Sequence, residues 1–178
     1  ATAHFLSAYA PVYPPPRSLE VAQDRLVEKC FFRDRSIPTP EFASVESLEE
    51  LQDAIERFGL PVVLKTRRMG YDGKGQVVIR NEAEIEATWR QFGRFPLIVE
   101  AFVAFDREIS VLAVRARDRS TATYPLVENQ HCDGILRMSR APASSKARAF
   151  GPMPAFCPGS ALEKTFTMKS RTASALIA

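Results

Sequence analysis

Behind Ser18, the apolar positions Leu19, Ala22, Leu26 and Cys30 recur at three- and four-residue spacing, which predicts a serine-capped helix with one buried face. The preceding residues end in Pro14-Pro15-Pro16 and read as an extended lead-in. Pro38 and Pro40 stop any helix, so IPTPEFASV at 37–45 reads as an extended connection. Ser47 and Glu50 form a capping-box pattern before Leu48, Leu51, Ile55 and Phe58, predicting a helix over 47–58 that Gly59 ends. A short apolar strand follows at 61–66. Arg67 to Gly75 is polar and glycine-rich, and strand character returns over 76–80. Asn81 stands where it can cap a helix over 82–93, with Ile85, Trp89 and Phe92 facing inward. Phe95 to Phe102 is a strand, apolar except for Glu100, and β-rich runs at 108–117 and 123–127 suggest an antiparallel meander. Helices and strands interleave without the regularity of a doubly wound sheet, so the class is α+β. The two helices should pack on an antiparallel sheet that contains 61–66 and 76–80. After Ala143 no periodicity remains, and 144–178 reads as a flexible tail.

Composition narrows the class further. Of the 178 residues, 46% are hydrophobic and 25% charged, the balance of a soluble globular chain. No stretch reaches about 18 consecutive apolar residues, so no membrane span is expected. The first residues lack a basic region followed by an apolar run, so a secretory signal is not expected. The net charge of +3 comes from the tail, where Lys146, Arg148, Lys164, Lys169 and Arg171 face the single acid Glu163. Positions 1–143 hold the remaining 19 basic and 20 acidic residues and show no basic stripe, which argues against a nucleic-acid partner. Cys30, Cys132 and Cys157, with His4 and His131, are too scattered for a disulfide framework or a zinc site. No metal ligand is assigned within the chain, and a cytoplasmic setting is the default.

Chemistry concentrates in Lys65-Thr-Arg-Arg-Met-Gly-Tyr-Asp-Gly-Lys-Gly-Gln76. The segment fails the P-loop pattern, because Gly75 rather than Ser or Thr follows Lys74. It also fails GxGxxG, because Val78 occupies the third glycine position. Gly70, Gly73 and Gly75 nevertheless let backbone approach a ligand closely, and Lys65, Arg67, Arg68 and Lys74 surround them with positive charge. On these residues alone the hairpin is either a phosphate site or a solvated turn. Glu100 ends an apolar strand, so it either reaches water or has a buried partner. A strand end that offers backbone groups beside apolar side chains can also grip adenine.

QDRLVEK at 23–29, IPTP at 37–40, GLPVVLKTRRMGYDGKGQ at 59–76, PLIVEAFV at 96–103, DREISV at 106–111 and YPLVENQHCDGILR at 124–137 together resemble one family. It is that of the 5-(carboxyamino)imidazole ribonucleotide synthases, ATP-grasp ligases of purine biosynthesis. The resemblance implies an ATP-grasp fold. Residues 1–36 would then be the end of an N-terminal domain and a connecting helix, and 37–100 the lid subdomain. Residues 101–143 would begin the C-terminal subdomain, with 144–178 as an atypical tail. By resemblance, Arg25 and Lys65 contact ATP, Lys65 at the polyphosphate. Gly70, Tyr71, Asp72, Gly73, Lys74, Gly75 and Gln76 form the loop closing over ATP, and Glu100, Ala101, Phe102 and Val103 the adenine hinge. Glu108 resembles the ribose-binding carboxylate, and His131 the histidine near the nucleotide. Tyr71, Asp72 and Lys74 resemble the contacts to 5-aminoimidazole ribonucleotide, with Asp72 positioning or deprotonating its amine. Without the resemblance, Arg25 could be a surface cation, Glu108 a solvated strand residue and His131 a turn residue.

The reaction implied has two steps. Bicarbonate attacks the γ-phosphate of ATP to give carboxyphosphate and ADP, and the substrate amine then takes the carboxyl group and releases phosphate. Cations and Mg²⁺ offset charge on the transferring group. The family's Mg²⁺ carboxylates and its glycine-rich N-terminal opening have no match here. The chain is therefore expected to be a fragment, inactive alone, of an enzyme that is a homodimer when complete. The alternatives are a nucleotide-binding fragment without catalysis, or another ATP-grasp carboxylase or ligase.

Overall fold

The computed structural model describes residues 2–68, 75–116, 118–132 and 135–143. These fall into two compact units, Ala1–Phe102 and Val103–Ala178. The expected tail 144–178, and with it Gly70, Tyr71, Asp72, Gly73 and Lys74 of the glycine-rich segment, lies outside the described residues.

In the first unit the chain runs α1 (Thr2–Ser7), α2 (Pro16–Gln23), α3 (Arg25–Arg33), β1 (Phe42–Val45), α4 (Leu48–Phe58), β2 (Val62–Thr66), β3 (Gln76–Ile79), a 3₁₀ turn (Glu82–Glu84), α5 (Ile85–Phe92) and β4 (Leu97–Ala101). The sheet order is β1-β4-β2-β3, and every neighbouring pair is antiparallel. Residues 61–66 and 76–80 thus share one sheet, as expected, in the register Val62 opposite Ile79 and Lys65 opposite Gln76. Alternation along the strands sends Val45, Val62, Leu64, Ile79, Leu97 and Val99 to one face. There they pack with Leu51, Ala54 and Ile55 of α4 and with Ile85 and Phe92 of α5. Trp89 is partly buried against the same cluster. The Ser47 hydroxyl accepts the Glu50 amide at 3.2 Å, and Gly59 ends α4 at φ 75°, ψ 159°, a backbone region essentially reserved for glycine.

The opposite face of the sheet carries Val63, Lys65, Ile98 and Glu100. β4 is the only strand among those described whose interior is buried on both faces, with Leu97 to Glu100 all inaccessible or nearly so.

Several expectations need correction. The helix drawn through Leu19 to Cys30 is two helices. Asp24 adopts extended dihedrals (φ −125°, ψ 115°) between them and accepts the amides of Leu26 and Val27, so Asp24 rather than Ser18 makes the decisive cap. Pro16 opens α2 at its first helical position, where a missing N–H costs nothing. The lead-in holds a helical segment, α1, instead of being extended throughout. Within 37–45, Phe42–Val45 pairs with β4 as an edge strand, Phe42 opposite Glu100. Asn81 does not cap through its side chain; its amide donates to Glu84 at 2.7 Å, and the helix begins as a 3₁₀ turn.

The second unit is built from short strands: β5 (Glu108–Ser110), β6 (Ala113–Arg115), β7 (Thr121–Thr123), β8 (Val127–Cys132) and β9 (Ile135–Arg140). They form an antiparallel sheet β5-β8-β9 and a separate β6-β7 ribbon. The expected 108–117 run is therefore two strands in different sheets, and β9 adds a strand that periodicity did not reveal. Its exposed Ile135, Leu136 and Met138 alternate poorly with polar residues.

Candidate functional site

Lys65 lies near the end of β2, and β4 runs antiparallel beside it. The register places Glu100 opposite Val63, two residues from Lys65 on the same face. Its carboxylate meets the Lys65 ammonium at 2.7 Å through Oε1. Through Oε2 it meets Lys29 of α3 at 3.1 Å. Lys29 is 5% exposed and also donates to the Thr39 hydroxyl at 2.7 Å. The open choice for Glu100 is thus decided: it is buried and paired. Burial alone would push its carboxyl up, but the Lys65 and Lys29 ammonium charges and their hydrogen bonds hold it below the usual range.

Beside this triad stands Glu28. Burial drives its carboxyl up to about 7, only partly countered by Lys29, Arg25 and Lys65, while the Glu100 charge raises it further.

The second focus is where α3 begins. Asp24, 3% exposed, accepts Arg67 Nε at 3.1 Å on one oxygen and Arg67 Nη2 at 2.8 Å on the other, a bidentate fork. Arg68 Nε approaches the same carboxylate at 3.4 Å. Desolvation raises the Asp24 carboxyl, but Arg67 and the helix amides outweigh it, so the group titrates below its ordinary value. Arg25 belongs to the same arrangement. Its guanidinium donates to the Thr66 carbonyl, and its amide to the Arg67 carbonyl at 2.9 Å. Across the hairpin the Thr66 amide donates to the Gly75 carbonyl at 2.9 Å. Arg25 is therefore fastened to the stem of the glycine-rich hairpin, not a free surface cation.

The described part of the first unit thus brings together Arg25, Lys65, Gly75, Gln76 and Glu100. Gln76 sits opposite Lys65 across β2 and β3. Ala101 and Phe102 continue from Glu100, and the Ala101 amide is taken by the Glu41 carbonyl at 2.9 Å. Val103, 39% exposed, opens the second unit. In that unit Glu108 of β5 is buried, and its Oε2 lies 3.0 Å from His131 Nδ1 of β8, so neither is a solvated bystander.

Sequence reasoning missed Lys29, Asp24 and Glu28. A signal for Lys29 was present: it lies three residues after Leu26 and three before Phe32, a lysine within an apolar stripe, and four residues after Arg25. Among the described residues, no group of three or more His, Cys, Asp or Glu side chains could hold a metal ion. The Glu108–His131 pair falls short of the oxygen-rich octahedron Mg²⁺ prefers. The described residues therefore do not fit that ion. Among them no helix is long and apolar enough to cross a membrane.

An antiparallel sheet with a lysine and a glutamate paired on neighbouring strands, beside a glycine-rich hairpin, is an arrangement suited to holding a nucleotide. A family model described as the ATP-grasp domain matches residues 30–151. The chain belongs to the ATP-grasp family. Within it, the chain is similar to N5-carboxyaminoimidazole ribonucleotide synthase of Pseudomonas aeruginosa, 49% identical over 148 residues, covering 83% of this chain and 41% of that protein. It also resembles the bifunctional purine synthesis protein purC/E of Dictyostelium discoideum, at 41% identity, covering 78% of this chain and 14% of that protein.

Among solved structures, the N5-carboxyaminoimidazole ribonucleotide synthetase from Thermus thermophilus matches with a TM-score of 0.73 at 49% identity, over 83% of this chain and 39% of that one. The Staphylococcus aureus N5-carboxyaminoimidazole synthetase complexed with ADP matches with a TM-score of 0.76 at 30% identity, over 79% and 38%. The chain spans about two fifths of the length of the Pseudomonas relative.

Proposed function

We propose that this chain is the nucleotide-holding part of an ATP-dependent carbon–nitrogen ligase that carboxylates 5-aminoimidazole ribonucleotide with bicarbonate. The observation that carries the reading is the half-buried Lys65 paired with the buried Glu100 on adjacent strands, inside the stretch matched to the ATP-grasp domain. A lysine in a largely dry site is worth more to a phosphate than one in water. Arg25, fixed at the hairpin stem, adds a second cation. Gly70 to Gln76 cover the phosphates, and Glu100 to Val103 supply the backbone edge for adenine. Glu108, with His131 beside it, takes the ribose. Tyr71, Asp72 and Lys74 contact the acceptor nucleotide, with Asp72 positioning or deprotonating its amine.

Bicarbonate alone is a poor electrophile. Attack on the γ-phosphate converts it to carboxyphosphate, whose phosphate leaves when the amine forms the new C–N bond. Mg²⁺, whose ligands we place outside this chain, would supply charge neutralisation for that transfer. The complete protein is cytoplasmic and homodimeric.

The test is a chimera in which this chain's residues replace the aligned 148 of the Pseudomonas aeruginosa enzyme. We expect ADP release that requires both bicarbonate and aminoimidazole ribonucleotide. A folded chimera that releases none would overturn the reading.

A further inference from the structure

Three charged groups share the buried face between α3 and the sheet: the Lys29 and Lys65 ammoniums and the Glu100 carboxylate. One carboxylate cannot neutralise two ammoniums. Each of its oxygens serves a different lysine, and Thr39 gives Lys29 a second, neutral partner. Lys29 comes from a helix, whereas Lys65 and Glu100 come from paired strands, so the triad joins two layers of the unit.

We propose that Lys29 is a positioning residue for nucleotide binding: by holding Glu100 it leaves the triad with one surplus positive charge, which Lys65 presents to the phosphates. The inference rests on the nucleotide reading above and deepens it. The charges facing the triad support the count. Among the described residues, Arg25 adds a positive charge near the triad, and the acid Glu28 beside it is largely protonated below its value of about 7. Without Lys29, the Lys65–Glu100 pair would be neutral, and a phosphate entering would compete with Glu100 for a single ammonium.

The test measures ADP and adenosine binding to the 178-residue chain by calorimetry at about pH 6, where Glu28 is mostly neutral. Adenosine has no phosphate and reports the rest of the site. Lys29→Met should weaken ADP about tenfold, as expected for losing a charge-assisted contribution, while adenosine changes less than about twofold. Lys29→Arg should stay within about threefold of the unmodified chain for ADP. The double variant Lys29→Met/Glu100→Gln restores the surplus charge and should recover most of the ADP affinity. Thermal unfolding of each variant accompanies the titrations. If Lys29→Met does not fold, the double variant carries the comparison against the unmodified chain. Equal losses for ADP and adenosine, no loss for either, or a double variant binding ADP no better than Lys29→Met would overturn the inference while the nucleotide reading stands. An unmodified chain that takes up no ADP would overturn the nucleotide reading and the inference with it.

Discussion

Lys65 and Glu28 show how much one residue's surroundings decide. Lys65→Ala should weaken ADP binding by about 1.5–3 kcal/mol, the cost of a lost charge-assisted phosphate contact. Unchanged titration curves would mean that the lysine serves the sheet alone. Glu28 carries a pH signature with the opposite sign to most carboxylates. Its folded value, about 7, lies above the ordinary 4.5, so the folded chain binds the extra proton between those limits. Its stabilising contribution is present below pH 4.5 and is lost as pH rises to about 7. Glu28→Gln should therefore raise stability at about pH 8 by roughly 1–2 kcal/mol, discounted for partial exposure, and change little at pH 4.5. Urea unfolding at the two pH values checks this; equal effects at both would contradict it. Asp24 and Glu100 behave conventionally: their folded values are depressed, so their contribution is present above the ordinary range and is lost as the pH falls below it.

At the scale of elements, the junction of α2 and α3 depends on Asp24, which caps one helix and pairs with two arginines of the hairpin stem. Asp24→Asn keeps an oxygen for the Leu26 and Val27 amides but gives up the charge. We expect a loss of roughly 2–3 kcal/mol, mostly from the stranded Arg67. Asp24→Ala should cost about 1 kcal/mol more, because the cap goes too. Similar losses for the two substitutions, in chemical denaturation, would show that the cap contributes nothing. At the C-terminal end of α4, Gly59→Ala meets open space, yet its backbone sits at φ 75°, ψ 159°. Strain alone should cost about 1–3 kcal/mol, and a neutral result would mean the turn relaxes. These elements also show where local pattern misleads. The stripe Leu19, Ala22, Leu26, Cys30 is continuous, and nothing in its spacing marks the extended residue that splits it. The Asp24 carboxylate that caps α3 locally is also held by Arg67, a partner distant in sequence.

For the whole molecule, ligand and fold are linked. ADP that binds the folded chain and not the unfolded one adds about 2.7 kcal/mol at a concentration about one hundred times its dissociation constant. The melting temperature should rise with ADP and not with inorganic phosphate at the same ionic strength. Equal shifts would indicate a general anion effect rather than a nucleotide site.

The sequence by itself determined the helix read over 47–58 with its Ser47 cap and Gly59 end, the hairpin joining 61–66 to 76–80, and the ligase resemblance, because these depend on spacing and on motifs contiguous in the chain. It also marked Lys65, Glu100, Glu108 and His131 as residues to watch. Only the tertiary structure decided that Glu100 is shared by Lys29 and Lys65, that Asp24 bridges a helix start to a hairpin stem, and that Glu108 faces His131. Such contacts join residues up to 71 positions apart, as Lys29 and Glu100 show. The energy of a buried charge depends on which opposite charge arrives within about 4 Å, and hydrophobic periodicity carries no information about that partner.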